Sequence, residues 1–220
     1  MSPLDIVPIT PERLPDLDTL FASGDPRHCQ CAYVRLTNAQ WSASSPAANR
    51  DVHRRAIEAA AADGRAAGLI AYRDGVPVGW VSFDRRDQYA RLGSSRLLRP
   101  IDDQPVWSVV CFVVAAAARR AGVAHALLDE TIRYARNHGV RMLESYPVDV
   151  TTEQKRSAAD LWRGTVPMFE RAGFRTVEVR RQHDNAPPRP IMRRTIRAGR
   201  AGDTDEERTA RDRPGGDRRS

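Results

Sequence analysis

VWSVVCFVVAAAARRAGVAHALLDETIRYARNHGV, residues 106–140, reads as a buried strand, a turn rich in alanine and arginine, and an amphipathic helix. The run 106–114 is apolar at nearly every position, with Ser108 the exception, as a strand covered on both faces must be. Four alanines then lead to Arg119-Arg120-Ala121-Gly122. Beyond them Val123, Leu127, Leu128, Ile132 and Ala135 recur at the helical period, and Gly139 supplies the stop. A strand of this kind, passing directly into a helix, belongs at the centre of an α/β or α+β layer structure.

The flanking sequence fits that frame. Downstream, 140–146 reads as a strand broken by Pro147, 166–172 as a short helix closed by Gly173, and 174–179 and 191–196 as two further strands. Upstream, 4–9 reads as a strand, and Thr10-Pro11-Glu12 opens a helix that runs to about Phe21. A second helix is expected over 49–63, stopped by Gly64. Strands over 67–73 and 77–84 flank Asp74-Gly75, a hairpin dipeptide. Residues 85–105 lack periodicity and are expected to form a long loop with a helical turn. No internal repeat is present. Residues 198–220 contain no large apolar side chain and balance Arg against Asp and Glu, so they are expected to be a disordered tail behind one domain over 1–197.

At 220 residues, with 41% hydrophobic and 29% charged content, the chain has enough apolar surface for one domain with a core. The longest apolar run, 109–118, is far below the roughly 20 residues of a membrane span, and the N-terminus has no signal pattern. Cys29, Cys31 and Cys111 leave an odd thiol, which argues against a disulfide framework and for a reducing, cytoplasmic location. The net charge of +7 is carried by arginine spread along the chain, with Lys155 the one lysine. Dispersed charge describes a solvated basic surface better than a nucleic-acid interface, which concentrates charge in a stripe or patch. Neither a nucleic acid nor a membrane is expected as a partner.

Strand, arginine–glycine turn and helix N-terminus together make an anion site. The first backbone amides of a helix lack intrahelical acceptors, the helix dipole adds positive potential, and Gly122 lets phosphate oxygens approach the main chain. The turn lacks the Gly-Lys-Ser/Thr ending of a P-loop and the three glycines of a dinucleotide fingerprint. Coenzyme A is the pyrophosphate carrier that remains.

Arg119, Gly122 and Ala124 match Gln/Arg-x-x-Gly-x-Gly/Ala, and Met168-Phe169-Glu170-Arg171-Ala172-Gly173-Phe174 closes the short helix that follows the next strand. On these residues and the order of elements around them, the chain resembles the GNAT superfamily of N-acetyltransferases over about 4–197. The resemblance implies a mixed, twisted sheet of six to seven strands flanked by helices. It also implies acetyl-CoA as co-substrate, no metal, and a small-molecule or peptide amine as acceptor, in a monomer or homodimer. The backbone of Phe112, Val113 and Val114 would pair with the pantetheine arm. The amides of Arg119, Arg120, Ala121, Gly122, Val123 and Ala124 would hold the pyrophosphate. The strands at 106–114 and 140–146 would splay to admit the thioester, with an amide near Val114 polarising its oxygen.

Two departures from the superfamily bear on the proton chemistry. Phe169 stands where many members carry a Tyr that protonates the leaving thiolate, and Ser108 stands where some carry a Glu base. The ionisable candidates that remain are Glu144 and Tyr146, which alternation puts on one face of the neighbouring strand. Catalysis is therefore expected from Tyr146, Glu144 and Ser108. A non-catalytic acyl-CoA-binding module is the alternative that Phe169 raises.

His28-Cys29-Gln30-Cys31 has poor spacing for zinc and no second ligand pair downstream. With Tyr33 and Trp41 it reads as packing or as lining of the acceptor pocket. Trp80, Trp107 and Trp162 read as core or pocket wall, and Arg85, Arg86, Arg91, Arg96 and Arg99 as solvated loop residues or, where the loop covers the cleft mouth, as attractors of an acidic acceptor or of the nucleotide phosphates.

Overall fold

The computed structural model describes residues 2–22, 24–150 and 161–197. The expected tail at 198–220 lies outside them. In chain order the elements are β1 (Asp5–Pro8), α1 (Leu14–Leu20) behind a 3-10 turn, α2 (Pro26–Cys29), α3 (Asn38–Ser42) and α4 (Pro46–Ala62). There follow β2 (Gly68–Arg73), β3 (Val76–Arg85), α5 (Ala90–Ser94), β4 (Trp107–Val114) and α6 (Val123–Asn137). The chain continues through β5 (Met142–Ser145), a helix named here α7 (Val166–Arg171), β6 (Arg175–Arg180) and β7 (Arg189–Thr195).

The strands form one seven-stranded mixed sheet in the order β1-β2-β3-β4-β5-β7-β6. Its one parallel pair is β4 with β5, joined by the crossover helix α6; the other pairs are antiparallel. β4 is central and buried along its length except at its ends, which is why its sequence runs apolar without alternation. Asp74 and Gly75 both take left-handed backbone angles, the pair that a two-residue hairpin loop requires between β2 and β3.

Two features of β4 shape the site. The register against β3 slips between Ser82 and Phe83, which pair with Cys111 and Val109, so Val110 is an extra residue on β4. Such a bulge bends a strand and re-aims its side chains. Against β5 the ladder holds only from Trp107 and Leu143 to Val109 and Ser145. Past Val109 the two strands separate.

α6 lies across β2, β3 and β4 with Val123, Leu127, Leu128, Ile132 and Ala135 buried, the stripe that the period-3.6 spacing specifies. Three helix features depart from expectation. α4 begins three residues early, because Ser45 caps it by accepting from Ala48 N–H and Pro46 occupies the first helical position. α2 and α3 are too short to display a period. α3 nevertheless carries a capping box, with Thr37 and Gln40 bonded reciprocally, that is legible as T-x-x-Q.

Candidate active site

The turn between β4 and α6 leaves a set of main-chain amides free. Arg120 and Gly122 both have positive φ, 59° and 77°, and Gly122 is the N-cap of α6. The bond from Ala126 N–H to Gly122 O closes the first helical turn at 3.0 Å. The amides of Val123, Ala124 and His125 therefore have no intrahelical acceptor and sit at the positive end of a 15-residue helix. An ideal Cβ at Gly122 would meet nothing within 4 Å. The space above the turn is open, and the backbone angle there favours glycine. Arg119 and Arg120 are exposed beside it. Amides, open volume and guanidinium groups fit a pyrophosphate.

The strand edge expected for a pantetheine arm needs correction. Ala115 N–H bonds Val78 O on β3. By alternation Val113 also turns its backbone toward β3, so it has none to offer the opening. Phe112 faces the opening, but its N–H donates to Trp162 O at 2.6 Å. Residues 162–166 run through the gap, with Val148 bonded to Gly164 O and Val166 bonded to Val148 O, both at 3.0 Å. Of the three expected positions, Val114 alone faces the opening without this neighbour.

At the splay lies a cavity of about 780 Å³. It is lined by Val110 and Cys111 at the bulge, by Tyr146 and Trp162, and by Tyr33 and Trp41 from the segment of α2 and α3. Tyr146 lines the cavity; Glu144 and Ser108 do not. The three are nonetheless connected, with Ser108 Oγ 3.0 Å from Tyr146 Oη and Tyr146 donating its hydroxyl proton to Glu144 Oε1. Glu144 is fully buried, and its oxygens also accept from Arg86 on one side and from Arg193 Nε, at 2.7 Å, on the other. A carboxylate so engaged is anchored and has no contact with the cavity. Burial, then the adjacent Glu144 charge, pushes the Tyr146 phenol well above the ordinary tyrosine value. Tyr146 is therefore a protonated hydroxyl at any working pH and acts as a hydrogen-bond donor.

Of the two readings of the loop arginines, Arg86 and Arg91 depart from solvation. Arg86 reaches Glu144, Tyr146, Leu92 O and Leu98 O, and Arg91 is buried, whereas Arg85, Arg96 and Arg99 are exposed as expected. A guanidinium is tolerated inside when its five donors find acceptors. Those of Arg86 lie as far as 60 residues along the chain, at Tyr146. Local sequence holds no sign of such a partner.

Phe169 is fully buried, stacked edge-on against Phe112 and Phe174, and acts as core. Trp80 is core as well, while Trp107 is half-buried against Phe83 and Tyr134. Cys29, Cys31 and Cys111 all line the cavity. Burial, and the neighbouring Cys31, push the Cys29 thiol up to about 11, so it stays neutral and weakly nucleophilic. Among the described residues no three His, Cys, Asp or Glu side chains are grouped to hold a metal, and no helix is long and apolar enough to cross a membrane.

Residues 33–174 match the Acetyltransferase (GNAT) family. No curated protein sequence matches the chain. Among solved structures, a ribosomal-protein-alanine N-acetyltransferase from Brucella melitensis superposes with a TM-score of 0.54 at 20% identity, covering 87% of this chain and 99% of its own. A GNAT-family acetyltransferase from Streptococcus pneumoniae gives 0.52 at 16% identity over 89% of this chain and all of its own. An N-acetyltransferase from Staphylococcus aureus gives 0.52 at 15% identity with the same coverage. At these identities the likeness is one of fold.

Proposed function

The chain belongs to the GNAT acetyltransferase family, and from that premise we propose that it moves an acetyl group from acetyl-CoA to an amine seated in the cavity against Tyr146. One observation carries the reading: β4 delivers an open amide cradle at its C-terminal end and a cavity at its bulge, so one strand serves both reactants.

The geometry supports a role for each residue. The amides of Arg120, Ala121, Gly122, Val123 and Ala124 hold the pyrophosphate of acetyl-CoA; the amide of Arg119, expected to join them, is instead taken by Ala116 O at 3.4 Å. With Phe112 N–H engaged by Trp162, the amide near the thioester oxygen is that of Val114. As nitrogen bonds to the acetyl carbon, the carbon–sulfur bond breaks; nitrogen gives up a proton and sulfur gains one. We assign the second proton to Tyr146, the hydroxyl at the cavity wall, whose oxygen in turn takes up the proton that nitrogen releases, so that the phenol is restored at the end of the step. Glu144 and Ser108 are positioning residues that hold it. Most of the acceleration comes from juxtaposing the reactants in a confined space.

The acceptor is a small molecule or a peptide amine, with no part for nucleic acid, membrane or metal; the protein acts in the cytoplasm, as a monomer or homodimer. The engaged Phe112 amide and the proton-free Phe169 favour one second reading, a module that binds acyl-CoA without turning it over. Calorimetry with acetyl-CoA and an assay of thiol release over an amine panel test both. Binding with amine-dependent release is the expected result. Binding without release selects the module, and no binding overturns both.

A further inference from the structure

Arg91 is a buried cation in the cavity wall that faces no anion among the described residues. Its Nε donates to Tyr33 O at 2.6 Å, one terminal nitrogen to Asn38 Oδ1, and the other to Thr37 O at 3.3 Å. All three acceptors are neutral. Among the described residues no carboxylate forms an ion pair with it. The thiol of Cys29, whose own ionisation Arg91 influences, stays protonated at neutral pH and supplies no charge. The other arginines buried against the sheet are treated differently. Arg35 and Arg65 share Asp84, and Arg86 and Arg193 share Glu144. A buried charge without a counter-charge is costly, so its retention in a cavity wall calls for an anion from outside.

The setting of Arg91 is that of a recognition group. The Tyr33 ring lies over the guanidinium, 3.8 Å from centroid to carbon, and Trp41 meets Tyr33 edge-on. Three of the five guanidinium donors are used, which leaves two to present to a ligand. Arg96 joins it in lining the cavity, as do Arg163 and Arg189, which have interactions of their own. No Asp or Glu is among the described residues that line the cavity.

We infer that the acceptor amine carries an anionic group, a carboxylate or a phosphate, which docks on Arg91 while its body packs against Tyr33 and Trp41. This deepens the acetyl-transfer reading of the same cavity and rests on it. The guanidinium fork suits a planar or tetrahedral oxyanion equally, so the test carries one arm for each.

Binding is read apart from turnover. N-acetylated aliphatic, aromatic and acidic amino acids are compared with their carboxamides, and O-phosphoethanolamine with ethanolamine, by calorimetry on the full chain. At least one anionic member is expected to bind about tenfold or more tighter than its neutral partner, the margin of a charge-assisted hydrogen-bond pair. Equal affinity within every pair, preference for the neutral members, or no binding across the panel overturns the inference. Arg91→Gln is expected to erase the difference within the winning pair. Because Arg91 also braces α3, Arg91→Lys, which keeps the charge but loses the fork, is measured beside it and is expected to retain part of the preference. A folded Arg91→Gln with undiminished discrimination overturns the assignment to this residue. Failure of the acetyl-transfer reading has a separate mark, the absence of thiol release from acetyl-CoA with any amine.

Discussion

Gly79 of β3 lies directly beneath Val123, the first residue of α6: a Cβ on Gly79 would come within 2.5 Å of Val123 Cγ1 and 3.1 Å of Leu127 Cδ1. The helix start, and with it the amide cradle, is seated on that absence of a side chain. Gly79→Ala forces helix and sheet apart. It is expected to cost about 1–3 kcal/mol of stability, the range for overpacking a core. Acetyl-CoA affinity is expected to fall with it, because the displaced element carries the cradle. Denaturant unfolding and calorimetry on the same sample check both.

At Gly122 the expectation is reversed, with binding lost and stability nearly kept. A side chain there meets open space, so its main structural cost is the left-handed backbone angle, roughly 1 kcal/mol. Gly122→Glu adds a carboxylate against the phosphates and is expected to weaken acetyl-CoA by on the order of 100-fold or more. Unchanged affinity in calorimetry moves the phosphate site elsewhere.

Tyr146→Phe removes the hydroxyl that lines the cavity and leaves the ring. Turnover is expected to drop on the order of 100-fold, with acetyl-CoA affinity unaltered. Since the phenol is held well above the ordinary tyrosine range, the wild-type rate profile should show no tyrosine limb below about pH 10. An unaltered turnover number in the variant removes Tyr146 from the chemistry.

Glu144→Gln leaves Arg86 and Arg193 facing an uncharged amide in a fully buried position. Loss of about 3–5 kcal/mol is expected, the cost of stranding buried charge. Unfolding midpoints in urea measure it.

His53 governs part of the acid stability. It is buried between Phe21 and Trp80, and burial, then the Arg35 cation, depress its pKa from the ordinary 6.5 to about 3. Well above pH 6.5 neither folded nor unfolded chain protonates it, and its contribution is complete. As pH falls from 6.5 toward 3 the unfolded chain takes up a proton that the folded one refuses. Stability therefore declines through that window by about 1.4 kcal/mol per pH unit. His53→Phe keeps a ring against Phe21 and removes the titration. A shallower acid limb in melting temperature is expected, with no loss at pH 7, since His53 Nε2 has no hydrogen-bond partner to forfeit.

Much of this protein is written in local sequence. The unbroken apolar run at β4, the 3.6-residue stripe on α6, Asp74-Gly75 at the hairpin and the Arg119–Ala124 turn each act over a few neighbours, where periodicity and backbone angle are set by the residues themselves. The strands, the helix that follows β4 and the glycine turn between them were therefore legible in the sequence. Tertiary structure decided what depends on residues distant in the chain: the burial of Arg86 against Glu144 and Tyr146, the neutral acceptors that surround Arg91 among the described residues, and the capture of Phe112 N–H by Trp162. A guanidinium on a loop has the same local appearance whether water or a carboxylate far along the chain satisfies it. Chain folding alone determines which partner it meets, and so what the cavity can recognise.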